Sequence, residues 1–232
     1  MRTRGGLQRL YTGYCLALFT ALGLSVLVIN LFLPSLRARR HVAGTVSRGF
    51  LRAAGMHFSV EGLQRLPAAP CVVVANHASY IDALAAAAAL PPDFAFVIKK
   101  EMMHVPLAGL LLRRLGSQFV ERFNRHKGGV DARRVLKLAA SGQSLVFFPE
   151  GTFDEVRQIG KFHGGAFAAA ARSGMPVVVM AIHGTRDVFP PGGLIAHPLP
   201  IRVQILAVLT AGEAREQSRA LLAEALGEPL AP

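Results

Sequence analysis

The hydrophobic positions divide the chain into two parts with different patterns. Residues 10–36 contain no charged side chain, and residues 16–33 read LALFTALGLSVLVINLFL. A helical run of this length matches the roughly 30 Å hydrocarbon core of a bilayer. From about residue 60 onwards, short apolar runs alternate with stretches of helical spacing. The sequence therefore predicts an N-terminal membrane helix followed by an α/β domain.

The second part predicts a mixed, largely parallel sheet flanked by helices. Strands are expected at residues 71–75, 94–98, 118–120, 145–148, 177–182 and 201–206. Helices are expected between them, at residues 82–90, 107–115, 130–140, 166–173 and 213–226. Buried strands joined by helical crossovers are typical of such sheets. We divide the chain into an anchor with a basic interfacial helix, residues 1–55, and an α/β domain, residues 56–232.

The N-terminal segment has three possible interpretations. Arginines bracket the apolar run, and Tyr11 and Tyr14 lie where an interfacial aromatic belt is expected. These features favour a spanning or embedded anchor over a cleaved signal peptide or a buried core helix. Residues 35–55 are basic, with apolar residues at helical spacing. They predict a helix lying on lipid headgroups, with an ordinary linker helix as the alternative.

Charge and cysteine content narrow the class of partner. The chain has 26 Lys and Arg against 14 Asp and Glu, and eight of the basic residues precede residue 53, before any acidic residue. Because they flank an apolar run, anionic lipid is the expected partner. Nucleic acid is not expected, since aromatic residues are sparse and Trp is absent. Two isolated cysteines predict neither a disulfide framework nor a zinc site.

The first chemical motif is the segment NHASYID, residues 76–82, directly after the predicted strand 71–75. Five helical steps would place His77 and Asp82 on different faces, so a direct pair requires His77 to lie in the turn before the helix. Ser79 would then be the N-cap of an S-x-x-D capping signature. In that geometry the carboxylate orients the imidazole, which removes a proton from a hydroxyl. A capping Asp82 beside a structural histidine is the alternative.

Two further segments carry candidate binding residues. FFPEGT, residues 147–152, delivers Glu150 and Gly151 to a loop at the carboxyl end of a strand, where ligands bind in open α/β sheets. The glycine allows close approach to the backbone, whose N–H can face an anion. KKEMMHVPLAG, residues 99–109, and FVER, residues 119–122, place cations beside an apolar helix. A tight strand-end turn explains the first segment equally well, and a solvated charged face is the favoured explanation for any single cation of the other two.

In this order, the segments resemble the 1-acyl-sn-glycerol-3-phosphate acyltransferase family over roughly residues 55–210. The most specific parts are Asn76-His77 with Asp82, and the segment FPEGT at residues 148–152. Support comes from Lys99-x-Glu101, Pro106-x-x-Gly109, Arg122 and the apolar strand after Pro176. The resemblance implies a glycerolipid acyltransferase-like fold and transfer of a fatty acyl group to the hydroxyl of a lysophospholipid, with lysophosphatidic acid as the first choice.

The resemblance also implies a role for each matching residue. His77 would be the general base and Asp82 its orienting partner. The acceptor or its phosphate would be bound by Glu150, Gly151, Thr152, Arg122 and Lys99. No metal or cofactor is implied, and the donor would be acyl-CoA or acyl carrier protein. The localisation expected is the bacterial inner membrane, with the catalytic domain on the cytoplasmic side, where acyl thioesters are made.

The chain departs from the family pattern at one position. The family usually places Arg after Glu-Gly-Thr, whereas this chain has Phe153. Arg157 and Lys161 follow in the same loop and are candidates to replace the missing charge. The departure bears on the acceptor headgroup, and a zwitterionic or amino-acid lysolipid is the alternative acceptor. Two other function classes stay open: a lipid or thioester hydrolase in which His77 activates water, and a non-enzymatic binder, which leaves the His77–Asp82 spacing unexplained.

Overall fold

The computed structural model describes residues 2–121, 125–153, 155–193 and 195–231, which form one seven-stranded sheet between layers of helices. The strands are β1 Phe58–Glu61, β2 Val72–Ala75, β3 Phe94–Lys99, β4 Gln118–Val120, β5 Ser144–Phe147, β6 Val177–His183 and β7 Ile201–Leu209. The helices are α1 Arg2–Phe32, α2 Leu36–Ala53, α3 Asp82–Ala89, α4 Ala108–Arg114, α5 Arg125–Ala140, α6 Gly165–Ser173, α7 Thr185–Val188 and α8 Ala214–Leu226.

The strand order is β1-β7-β6-β2-β5-β3-β4. Every neighbouring pair is parallel except β6 and β7, which are antiparallel. The predicted mixed, largely parallel sheet flanked by helices is therefore confirmed. The carboxyl ends of β2, β3, β5 and β6 lie along one edge, and the loops that follow these strands meet there.

The central strand β2 shows why the sheet is covered on both faces. Its four residues, VVVA, are fully buried. Side chains alternate between the faces of a strand, so Val73 packs with residues of α2 and α3, whereas Val72 packs with residues of α6 and α8. A continuous apolar run without alternation is what such a doubly covered strand requires.

Helix α1 packs along the domain through one face. The hydroxyls of Tyr11 and Tyr14 donate to the carbonyls at the end of α2, at 2.7 and 2.9 Å. Near the other end, Arg114 donates to the carbonyl of Asn30. The opposite face is apolar and exposed, with Leu10 and Phe32 at 75% and 82% exposure. The division between anchor and domain at residue 55 stays a prediction, but the two parts are in direct contact.

The length and composition of Gly5–Phe32 are sufficient for a helix that crosses a membrane. Only 22% of its most apolar window is buried, which contradicts the core-helix interpretation. Two of the arginines on the neighbouring helix, α2, donate to backbone carbonyls of the protein. Arg40 donates to the carbonyl of Leu115 and Arg48 to that of Ala88, at 2.9 and 2.7 Å. Both carbonyls lie at helix C-termini, where cations are stabilised.

Candidate active site

The turn after β2 is fixed to the neighbouring strand by Asn76. Its side-chain amide donates to the carbonyl of Ile182 at 3.0 Å, and its oxygen accepts from the Ile182 N–H at 2.8 Å. The Asn76 side chain thus continues the pairing of β2 with β6 by one residue. It holds the chain in place immediately before His77, at the carboxyl edge of the sheet.

His77 lies in the turn, and Asp82 is the first residue of α3. The imidazole Nδ1 is 2.9 Å from Asp82 Oδ2, which also accepts from the N–H groups of Ala78 and Ser79 at 2.6 and 2.8 Å. Asp82 is fully buried, while the His77 side chain is 20% exposed. Three donors on one oxygen offset the desolvation of the buried carboxylate. We assign the Nδ1 proton to this bond, which leaves Nε2 as the basic nitrogen.

The prediction that the Ser79 side chain caps α3 is wrong. Helix α3 begins at Asp82 without a side-chain cap, and the Ser79 hydroxyl instead donates to the carbonyl of Phe189 at 2.8 Å. Only the reciprocal half of the capping box forms, in which the Asp82 carboxylate accepts the Ser79 N–H. The Ser79 hydroxyl does not cap α3 because its hydrogen bond goes to the carbonyl of Phe189, at the end of α7. This bond ties the His77 turn to the segment after β6.

Glu150 connects its own loop to the His77 turn. One carboxylate oxygen accepts from the His77 N–H at 2.8 Å, and the other from the Gly160 N–H at 2.7 Å. Burial raises the pKa of the Glu150 carboxyl above its usual range, and the two backbone hydrogen bonds oppose that rise. A Cβ at Gly160 would lie 3.0 Å from the same oxygen, so a glycine suits this close approach. The acceptor-binding role of Glu150 stays a prediction.

The structure brings together only some of the other residues that were predicted to bind the acceptor. Gly151 has a φ of +80°, a left-handed conformation that favours glycine, and Thr152 is exposed beside it. Lys99 is exposed at the end of β3, on the same edge of the sheet. Arg157 forms an ion pair with Asp187, and Lys161 is exposed in the following segment. Arg122 lies outside the described residues.

Aromatic side chains surround the imidazole, and sequence reasoning did not predict this arrangement. The Phe148 ring stacks on His77 at 4.6 Å between centroids, and the Phe153 ring meets it edge-on at the same distance. Tyr80 in turn meets Phe153 at 4.9 Å. The sequence offered one indication of it: Tyr80 and Phe148 lie within the two motifs, and Phe153 directly follows the second. Phe153, the residue that departs from the family's sequence pattern, therefore lies directly beside His77.

Tyr80 of this cluster also lines an apolar cavity of about 520 Å³. Helices α1, α2, α3 and α4 line it, together with Phe94, Phe96 and Ile98 of β3. Its wall includes Tyr80 and Ile81, which precede α3 in the His77 turn, and Pro91 and Pro92, which follow α3. The cavity therefore runs along α3. Its size is that of a ligand pocket, and its lining suits a hydrocarbon chain.

Comparison with known proteins places this geometry in a family context. A family model described as acyltransferase matches residues 57–183. A chloroplastic 1-acyl-sn-glycerol-3-phosphate acyltransferase of Brassica napus is 32% identical over 142 residues, 60% of this chain and 41% of that protein. A 1-acyl-sn-glycerol-3-phosphate acyltransferase of Pseudomonas aeruginosa is 31% identical over 154 residues, 66% of this chain and 59% of that protein.

A second protein of Pseudomonas aeruginosa, a lyso-ornithine lipid O-acyltransferase, is 34% identical over 141 residues, 59% of this chain and 52% of that protein. The chain thus spans 41% to 59% of the length of these curated relatives. The crystal structure of the 1-acyl-sn-glycerophosphate acyltransferase from Thermotoga maritima has a TM-score of 0.76 with 22% identity. It covers 97% of this chain and 95% of that one, which shows a shared fold.

Proposed function

This chain belongs to the acyltransferase family, and we propose that it transfers a fatty acyl group from a thioester to the free hydroxyl of a lysophospholipid. The observation that carries the proposal is the His77–Asp82 pair, at 2.9 Å, in a turn whose residues Tyr80 and Ile81 line an apolar cavity. A base that activates a hydroxyl and a slot that holds a hydrocarbon chain are the two components that this reaction requires.

The geometry supports a direct transfer with His77 as the base. Nε2 takes the proton of the acceptor hydroxyl while the oxygen attacks the thioester carbonyl carbon. The C–S bond then breaks, and the leaving thiolate takes the proton from the imidazolium. Asp82 holds Nδ1–H throughout and stabilises the positive charge that forms on the ring. A thioester is already activated, so orientation supplies much of the remaining rate.

The donor end of the site is the cavity along α3. Its lining is almost entirely apolar, and Tyr80 and Ile81, from the same turn as His77, form part of its wall, which supports a bound acyl chain whose thioester lies near His77. Burial of the chain contributes about 0.8 kcal/mol per CH₂ group. We propose acyl-CoA or acyl carrier protein as the donor, with no further cofactor.

For the acceptor we propose lysophosphatidic acid, which yields phosphatidic acid. Most of the similar curated proteins bear this activity in their names, and a phosphate monoester favours arginine contacts. Glu150, Gly151 and Thr152 remain the proposed acceptor loop, with Arg122, Lys99, Arg157 and Lys161 as the cations. Phe153 supports the second candidate, an amino-acid or zwitterionic lysolipid, because an apolar ring stands beside His77. The similarity to the lyso-ornithine lipid acyltransferase agrees with that candidate.

Product analysis tests the proposal. The purified protein is offered one long-chain acyl-CoA with lysophosphatidic acid, lysophosphatidylcholine or lyso-ornithine lipid in turn, and the lipids are separated and identified. We expect a diacyl product with lysophosphatidic acid in preference to the others. Release of free fatty acid without any diacyl product would instead make the protein a hydrolase. A preference for lyso-ornithine lipid would reject the acceptor while leaving acyl transfer intact.

Replacement of Arg122 by alanine should weaken the binding of the acceptor and leave the binding of the donor unchanged. A hydrogen bond to a charged group contributes about 1.5–3 kcal/mol, so the acceptor KM should rise roughly 10- to 150-fold. The KM for acyl-CoA should stay near that of the unmodified protein. Arg133→Ala is the matched control, because Arg133 is exposed on α5 and its replacement removes the same charge. Equal increases in both KM values would contradict phosphate recognition by Arg122.

The outward apolar face of α1 supports a membrane anchor. We propose in addition that the membrane is a bacterial inner membrane and that the domain lies on its cytoplasmic side, where acyl thioesters are made. We expect the full-length protein to stay with membranes after a high-salt wash and to be released by detergent, because apolar burial is insensitive to charge screening. Changing Leu10 and Phe32 together to glutamate should increase the soluble fraction, since both side chains face outward. Complete release by salt alone would show that binding is electrostatic.

A further inference from the structure

The guanidinium of Arg219, on α8, holds the segment that faces Glu150. Its Nε donates to the carbonyl of Gly160 at 2.9 Å, and its Nη2 donates to the carbonyl of Ile159 at 3.2 Å. The same Nη2 donates to the carbonyl of Ala231. One planar fork therefore binds three backbone oxygens and joins the 159–160 segment to the C-terminal residues and to α8.

The peptide group between Ile159 and Gly160 is bound on both of its sides. Its carbonyl accepts from Arg219 and, at 2.9 Å, from the N–H of Ala231. Its N–H donates to the Glu150 carboxylate at 2.7 Å. A charged donor on the carbonyl polarises the peptide and strengthens the bond that its N–H makes. The fork therefore fixes the direction of this N–H and increases its strength as a donor to Glu150.

Glu150 transmits that constraint to the reacting group. Its second oxygen accepts from the N–H of His77 at 2.8 Å, on the residue whose ring is oriented by Asp82. The hydrogen-bonded connection thus runs from Arg219 through the 159–160 peptide and Glu150 to the backbone of His77. Burial disfavours the charged form of the Glu150 carboxylate, so the two backbone donors matter for keeping that form.

We propose that Arg219 is a positioning residue for acyl transfer, which acts on the His77 turn through the Ile159–Gly160 peptide and Glu150. This inference rests on the proposed function. Arg219 lies on the face of the sheet that packs against α6 and α8, whereas α1, α2, α3 and α4 line the acyl cavity on the other face. Loss of the fork should therefore lower kcat and leave the KM for acyl-CoA unchanged.

The test is a double-mutant cycle on the full-length protein, with acyl-CoA and the preferred lysolipid of the unmodified chain. Arg219→Ala should lower kcat about tenfold, because small displacements of a catalytic group are costly. Glu150→Gln should also lower kcat, since the amide NH₂ faces one of the two N–H donors. The double variant should be no slower than Glu150→Gln alone. Multiplied losses would show that Arg219 acts independently of Glu150, which overturns the proposal.

Arg215→Ala is the matched control. Arg215 lies one turn earlier on α8 and donates to the carbonyl of Phe162, in the same loop but away from the Glu150 contact. An equal loss of kcat in this variant would mean general support of the loop and would overturn the proposal. So would a folded Arg219→Ala protein with unchanged kcat. Circular dichroism checks folding, and Arg219→Lys, which keeps the charge without the fork, replaces the alanine variant if that variant is unfolded.

Failure of this inference is distinct from failure of the proposed function. If the unmodified protein forms no diacyl product, acyl transfer itself is rejected. If it forms the product and His77→Ala does not, the cycle above decides the role of Arg219 alone. Exogenous guanidinium should restore part of the kcat of Arg219→Ala and leave that of the control Arg215→Ala unchanged, and an equal increase in both variants would count against a specific role.

Discussion

Replacing His77 by alanine should reduce turnover by about two orders of magnitude or more while the fold persists. The imidazole contacts Asp82, Phe148 and Phe153, and its side chain is 20% exposed, so its removal leaves a small gap at the surface rather than a cavity in the core. The loss is expected because the variant lacks the proposed base, which would take the acceptor proton. Steady-state rates of diacyl product formation, with circular dichroism as the folding check, measure the effect.

The matched control for that variant is His41→Ala, because His41 is exposed on α2 and its loss changes the same side chain away from the site. The control should keep the rate of the unmodified protein. Free fatty acid release should fall in parallel with acyl transfer in His77→Ala, since both reactions require the same base. A folded His77→Ala protein with near-normal turnover would rule out His77 as the base.

Replacing Asp82 by asparagine should lower kcat by about 10²- to 10⁴-fold with little change in either KM. Asparagine retains one oxygen to accept from Ala78, Ser79 and the imidazole, so the turn should keep its shape. It lacks the negative charge that stabilises the imidazolium. The other Asp82 oxygen is buried without a hydrogen-bond partner among the described residues, and an NH₂ group there would cost about 1–3 kcal/mol of stability.

Asp93→Asn serves as the comparison for the Asp82 variant. Asp93 is exposed and pairs with Arg37 ahead of β3, at the edge of the sheet opposite the site. Its kcat should match that of the unmodified protein, and its melting temperature should change by less than that of Asp82→Asn. A folded Asp82→Asn protein that retains normal kcat would show that the carboxylate serves as a structural acceptor for the turn and has no electrostatic role in transfer.

Much of the fold followed from local pattern. Apolar runs predicted six of the strands, and their helical connections predicted the largely parallel sheet. The edge strand β1 was missed because its four residues, FSVE, are short and of mixed polarity, and its pairing with β7 joins residues far apart in the chain. The antiparallel direction of β7 was not predicted either. The described residues between β6 and β7 contain one short helix, α7, so this segment is a return connection and not a crossover.

The candidate site likewise has features that local sequence predicted and features that it did not. The H-x₄-D spacing by itself determined that a direct pair requires His77 in a turn, because five helical steps separate the two faces. The same reasoning misplaced Ser79, whose hydroxyl is taken by the carbonyl of Phe189, 110 residues away. No local pattern indicates such a partner. The bonds from Glu150 to His77, 73 residues apart, depend on β2 and β5 being neighbours in the sheet.

The apolar helix, the class of sheet and the spacing of His77 and Asp82 could be predicted from the sequence, because each follows from short local patterns. The role of His77 as the base came from the family resemblance and stays a prediction. The apolar cavity could be recognised only in the tertiary structure, because its walls come from four helices and β3. The tertiary structure also decided the aromatic neighbours of His77 and the connection from Arg219 to Glu150. These features arise where separate segments meet, and their positions are set by packing and hydrogen-bond satisfaction across the whole domain, which no local window of sequence contains.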